Sequence, residues 1–154
     1  MVNFWKLIVS LVISLGTGTI SGLITRADTK EVFSSIEKAP LTPPGIAFPI
    51  VWTILFFLMG VSAYMIWDGK CKYKKVSLGI YALQLVFNFL WSIIFFKFEQ
   101  FDIAFTWLIL LWLMVIAMTV LFYLCNKKAG LLQIPYIVWL TFAAYLNFAI
   151  SVLN

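Results

Sequence analysis

The side chains able to do chemistry within this chain's long apolar stretches are amides and aromatic rings, and their spacing is regular. Gln84 and Asn88 stand four apart and share a helical face with Tyr81 and Trp91. Asn147 shares a face with Tyr136, Trp139 and Ala143, while Phe48, Trp52 and Phe56 align on a third segment. If the three faces converge, they make a hollow with indole and phenyl walls and a few hydrogen-bonding amides. Such a lining suits a flat, hydrophobic ligand with a few polar groups. No acid–base pair or nucleophile suggests ordinary enzymology. Histidine is absent and two cysteines cannot furnish a zinc shell, so neither a metal nor a required cofactor is expected.

A plainer reading competes with the hollow. Deep amides often bond across membrane helices simply to hold a bundle together, for about 0.6 kcal/mol each. Tryptophans commonly anchor at headgroup level, which suffices for Trp5 and Trp67 at segment ends. Trp107 and Trp112 are expected to face lipid, whereas Trp52, Trp91 and Trp139 lie farther in.

The elements that must position these groups are transmembrane helices. The 154 residues are 64% hydrophobic and 11% charged, with a mean hydropathy of +1.04; soluble domains carry about 25% charged residues. A soluble core of this size could not hide so much apolar surface. Crossing a bilayer takes about 20 mostly apolar residues, and segments at about 5–25, 48–67, 76–96, 103–124 and 131–153 qualify. Strands of a barrel would be shorter and would alternate polar with apolar residues. The first run is too long for a secretory h-region, and Thr25, Arg26 and Ala27 make a poor cleavage site. The expected fold is therefore an all-α membrane protein, one domain of five transmembrane helices. Their interiors carry no Asp, Glu, Lys or Arg, which argues against a proton relay. No two segments look alike, so transporter-type repeats are not evident.

Small residues at Ser10, Ser14, Gly18 and Gly22 line one face of the first helix and permit close packing. Packing within the chain is the leading interpretation, and a dimer seam the alternative. The connection 26–47 reads as one long loop, polar at first and then stiffened by Pro40, Pro43 and Pro44. A loop of that length in so economical a chain serves either as a lid over a site or as a plain tether.

Lysines set the orientation. Lys6, Lys70, Lys72, Lys74, Lys75, Lys127 and Lys128 share one side with a single acid, Asp68. The other side mixes Arg26, Lys30, Lys38 and Lys97 with five acids, Asp28, Glu31, Glu37, Glu99 and Asp102. Cationic loops stay cytoplasmic, which puts the N-terminus inside and the C-terminus outside. The net charge of +5 is thus a topology signal rather than a nucleic-acid footprint. Lys72, Lys74 and Lys75 should also attract anionic headgroups of the membrane lipid. Cys71 and Cys125 fall in the inferred cytoplasmic loops, where thiols stay reduced, so no disulfide is expected.

Three motifs in register resemble the translocator protein family, also called tryptophan-rich sensory proteins or peripheral-type benzodiazepine receptors. Pro43-Pro44-Gly45-Ile46-Ala47-Phe48-Pro49-Ile50-Val51-Trp52-Thr53 looks like the family signature entering its second helix. Asn88-Phe89-Leu90-Trp91 followed by Phe95-Phe96 is similar to its third-helix pattern. Pro135-Tyr136, Trp139, Phe142-Ala143 and Leu146-Asn147 match the fifth in order and spacing. The resemblance covers essentially the whole chain and suggests a bacterial member, resident in the cell membrane.

It implies a pocket opening beneath the first loop that binds porphyrins such as protoporphyrin IX, isoquinoline and benzodiazepine compounds, and in some members sterols. Positions carried over as ligand-binding are Phe33, Pro44, Phe48, Trp52, Asn88, Trp91, Trp139, Phe142, Ala143 and Leu146. Some bacterial relatives are reported to degrade protoporphyrin in light, which would make Trp52 and Trp139 the reactive indoles. The implied function is a receptor for tetrapyrrole handling or stress signalling. A light-dependent degrading enzyme, a tetrapyrrole or sterol transporter and a structural subunit are the alternatives.

Departures from the pattern are local. Val32 and Phe33 replace a Trp-Tyr pair in the first loop, and Leu41 replaces a Trp. Phe148 and Val152 break the sterol motif, which needs a Tyr and a following basic residue. The family's third-helix Gly-x-x-x-Gly seam is half present, as Gly79 and Leu83, so a homodimer would use Gly79 with Ala82 or the small face of the first helix.

Overall fold

A computed structural model describes residues 1–154. Its six helices are α1 (Phe4–Ser35), α2 (Ala47–Asp68), α3 (Lys74–Ser92), α4 (Phe101–Cys125), the short α5 (Lys127–Leu131) and α6 (Ile134–Leu153). A π-helical turn, Ile93–Lys97, extends α3. Five spans are long and apolar enough to cross a membrane, α5 and α6 forming the last of them. The chain is an all-α, five-helix membrane protein.

Local chemistry sets the ends of these helices. The Asn3 side chain accepts from the Lys6 N–H and starts α1. Pro49 sits in the first turn of α2, where its missing N–H has no helical partner to lose. Asn126 ends α4, and its side chain then caps α5 by accepting from Lys128 N and Ala129 N.

The long 26–47 loop is corrected by the structure. Helix α1 runs on to Ser35, so only 36–46 lies outside helix. At ~1.5 Å per residue, the 32 residues of α1 span roughly 48 Å, well beyond the ~30 Å of a hydrocarbon core. Charge at Arg26, Asp28, Lys30 and Glu31 marks exit from the membrane, not the end of the helix. No glycine or proline falls between Gly22 and Pro40 to stop it.

The main helix seams pair α1 with α2, α3 with α4 and α4 with α6, while α1 also leans on α3 and on the π turn. The stripe on α1 serves the first of these seams. Ser14 Oγ donates to the Phe56 carbonyl, and the Phe56 ring occupies the place where a Cβ on Gly18 would stand. A Cβ on Gly60 would lie 2.9 Å from Leu11 Cδ2. Gly22 meets open space.

The tryptophans of α4, expected to face lipid, are half-buried and hydrogen-bonded to neighbouring helices. Trp107 stacks on Phe87 at 4.3 Å and donates to its carbonyl, and Trp112 donates to Thr141 Oγ1.

At the lysine-rich end, Lys6 pairs with Asp68 at 3.1 Å. A disulfide joins Cys71 to Cys125, correcting the expectation of free thiols. That expectation used compartment alone. Folding brings the two Cα atoms to 5.4 Å, within bridging range.

Candidate functional site

Helix α2 directs Phe48, Trp52 and Phe56 inward from successive turns. Helix α6 brings Tyr136 and Trp139 from the opposite side, α3 brings Asn88 and Trp91, and α1 reaches over with Phe33. The three faces expected to converge do so.

Six of the rings close a circuit. Phe33 meets Phe48 at 5.4 Å, Phe48 meets Trp139 at 5.8 Å, and Trp139 meets Trp52 at 6.4 Å. Trp52 then meets Trp91 at 6.5 Å, Trp91 meets Phe96 at 6.1 Å, and Phe96 returns to Phe33 at 6.0 Å. Every separation lies in the ~4.5–7 Å range of attractive aromatic pairs. Phe142 extends the cluster outward from Trp139, at 5.6 Å.

Phe96 joins through the π turn, which sequence reasoning missed. The Phe98 N–H donates to the Ile93 carbonyl, five residues back, and that wider turn re-aims the side chains following Trp91. The run of aromatics at 95, 96 and 98 gave no sign of it.

Beneath the rings lies a buried polar chain. Asn88 Nδ2 donates to Tyr136 Oη at 2.8 Å, Tyr136 Oη donates to Gln84 Oε1 at 2.8 Å, and Gln84 Nε2 donates to Met59 Sδ at 3.6 Å. Nearby, Trp91 Nε1 donates to Asn147 Oδ1, whose Nδ2 donates to the Phe101 carbonyl. The amides expected to greet a ligand are thus engaged within the bundle, Asn88 and Gln84 through the Tyr136 hydroxyl and Asn147 with Trp91 and the Phe101 carbonyl. Trp139 Nε1, by contrast, is buried with no hydrogen-bond partner.

Ala143 and Leu146 are buried on α6, whereas Pro44 is exposed. Its carbonyl accepts the Ala47 N–H at the start of α2, a structural role. Segment 36–46 is fastened to α6: Asn154 accepts from Glu37 N–H and donates to Glu37 O, and Tyr145 Oη donates to the Pro40 carbonyl.

Where α2 faces α6, side chains rather than close backbones fill the seam. A groove of about 480 Å³ runs along its outer face, lined by Val51, Ile54 and Leu55 of α2 and by Val138, Trp139 and Phe142 of α6. A smaller hollow of about 300 Å³ on α4, beside Asp102 and Trp107, holds none of the expected site residues. The chemistry available at the aromatic cluster is stacking, apolar contact and the indole donor of Trp139, buried without a partner.

Residues 8–153 match the TspO/MBR family. The chain is 34% identical to the tryptophan-rich protein TspO of Archaeoglobus fulgidus, covering 99% of both chains. It is 32% identical to the tryptophan-rich sensory protein of Cereibacter sphaeroides, over 97% of this chain and 92% of that one. To the translocator protein of Bos taurus it is 34% identical, over 90% of this chain and 83% of the relative.

Proposed function

The chain belongs to the TspO/MBR family, and from that membership we propose that it is a membrane receptor for porphyrins of the protoporphyrin IX kind and for drug-like hydrophobic molecules. The observation that carries this reading is the circuit of six aromatic rings drawn from α1, α2, α3 with its π turn, and α6. A soluble core spends aromatics on exclusion of water; here lipid is the outer solvent, and gathering large flat faces at one end of the bundle favours a flat guest.

Binding requires the circuit to open. A planar guest between two rings needs about 7 Å, two contact distances of ~3.5 Å, and Trp52 and Trp139 meet edge to face at 6.4 Å. Trp139, with its unpaired N–H, is the ring that gains most by turning toward a guest with an acceptor. The lysine excess favours the cytoplasm for its end of the bundle, against the reduced state that compartment imposes on thiols such as the Cys71–Cys125 pair at that same end; on the lysine assignment the aromatic site lies near the outer leaflet. Tetrapyrrole handling or stress signalling is the physiological role that follows.

Titration of the purified protein with protoporphyrin IX, followed by tryptophan quenching, tests the reading. Saturable quenching is expected, with affinity at least tenfold weaker in a Trp52→Phe, Trp139→Phe double variant. Absence of saturable quenching in the wild type, or equal affinity in the variant, overturns it.

A second reading, light-dependent porphyrin degradation, draws support from the direct contact of Trp52 with Trp139, two oxidisable rings against one guest. Loss of the porphyrin absorption band under illumination, abolished in single Trp→Phe variants that still bind, would establish it.

A further inference from the structure

We propose that the guest reaches the aromatic site sideways from the bilayer, through the seam between α2 and α6, with Trp139 as the side chain that closes this passage. The inference rests on the receptor reading above and specifies how that site is filled. The guest it fits is flat, dissolved in the membrane, and equipped with a carbonyl or carboxyl oxygen.

Three independent observations lead there. Around the bundle, α1–α2, α3–α4 and α4–α6 are closed by backbone packing, and α1 meets α3; the seam between α2 and the last span is closed at its lysine-rich end, where α2 meets α5, but along α6 it has no comparable backbone approach and is bridged by rings. The groove of about 480 Å³ lies on the outside of that seam, within the ~300–1,000 Å³ of small-molecule sites. Trp139 belongs to both compartments: it lines the groove, and it packs on Phe48 and Trp52 inside. One side-chain rotation therefore joins them.

The unpaired Trp139 Nε1 adds chemistry to the geometry. A buried N–H without an acceptor is costly, more so where no water is at hand. An oxygen carried in by the guest supplies the missing acceptor as the ring swings. The opposite approach, from water above the first loop, is obstructed by the ties from Glu37 to Asn154 and from Pro40 to Tyr145, and by Phe33 packed on Phe48 and Phe96.

The test uses the full chain in lipid nanodiscs and protoporphyrin IX delivered in the lipid, with binding and release followed by stopped-flow quenching. Ile54 and Val138 point to lipid at the groove's rims, so enlarging one of them leaves the core intact. Val138→Trp is expected to slow both binding and release at least tenfold while the equilibrium constant stays within threefold. Releasing the first loop with Tyr145→Phe and Asn154→Ala is expected to leave the binding rate unchanged.

Wild-type rates in Val138→Trp, or a tenfold faster approach after loop release, overturn the lateral passage while leaving the receptor reading standing. No saturable quenching in the wild type overturns both. The indole N–H is read separately, by comparing protoporphyrin IX with an alkyl-only porphyrin. Trp139→Phe should lower the ratio of their affinities threefold or more, and an unchanged ratio removes the hydrogen bond from the proposal.

Discussion

Tyr136 Oη lies 2.8 Å from both Asn88 Nδ2 and Gln84 Oε1, accepting from the first and donating to the second. One hydroxyl thereby ties α6 to two successive turns of α3, two helices whose backbones do not pack closely. The aromatic circuit rests directly on this tie, because Tyr136 also packs against Trp52 at 6.2 Å.

Tyr136→Phe keeps the ring and removes the hydroxyl. Asn88 Nδ2 and Gln84 Oε1 then lose their partner in a dry interior, at a cost of about 1–3 kcal/mol. Thermal unfolding in detergent should show the loss. Adding Gln84→Leu should cost less than the sum of the two single changes, since it removes one of the stranded groups. Strict additivity would mean that the hydroxyl and the amide do not interact.

The same residues mark how far sequence carries. Periodicity alone placed Gln84, Asn88, Trp91, Trp139 and Asn147 on inward faces, because in a helix that is apolar all round the scarce polar groups must find one another. It could not tell whether the amides would face a guest or each other; that depends on helix rotation and on distances a few tenths of an ångström apart. Phe96 was invisible as part of the site because a π turn shifts register without any compositional mark. The reach of α1 to Ser35 is hidden for a different reason: charge reads as loop, although a helix leaving the membrane meets water and tolerates charge well. The Cys71–Cys125 bond is not legible because the expectation of free thiols rests on compartment alone, and a separation of 54 residues gives no sign that folding brings the pair together.

That bond carries its own prediction. Closing so long a loop stabilises a fold by about 2–4 kcal/mol. Cys71→Ser, or reduction of the wild type, should lower the unfolding temperature measurably in the same detergent. A maleimide should label no thiol in the denatured, unreduced protein and two after reduction. Labelling before reduction would show the pair to be open.

Backbone conformation supplies another. Leu41 adopts φ 67° with its side chain exposed, a left-handed conformation that costs an L-residue roughly 1–2 kcal/mol. Leu41→Gly removes the Cβ responsible and buries no fewer atoms, so the first-loop segment should become more stable or stay unchanged despite glycine's greater freedom when unfolded. A clear loss of thermal stability would mean that Leu41 makes contacts outweighing its strain.

Two glycines on adjacent helices offer the sharpest contrast. Gly60 sits against α1 so closely that a Cβ would stand 2.9 Å from Leu11 Cδ2, 3.1 Å from Leu11 Cα and 3.2 Å from the Ser10 carbonyl. Only the first of these atoms can swing away; the other two are backbone. Gly60→Ala must therefore push α1 from α2, at about 1–3 kcal/mol of overpacking, and the Ser14 hydroxyl bond to the Phe56 carbonyl is the first to stretch. Gly22 lies on α1 with open space around it, so Gly22→Ala gains about 0.8–1 kcal/mol of helix propensity with nothing to displace. Unfolding monitored by circular dichroism should rank Gly22→Ala at or above wild type and Gly60→Ala below both. If Gly22→Ala instead proved the damaging change, with its loss deepening on dilution, that face of α1 would be covered by another chain rather than by lipid.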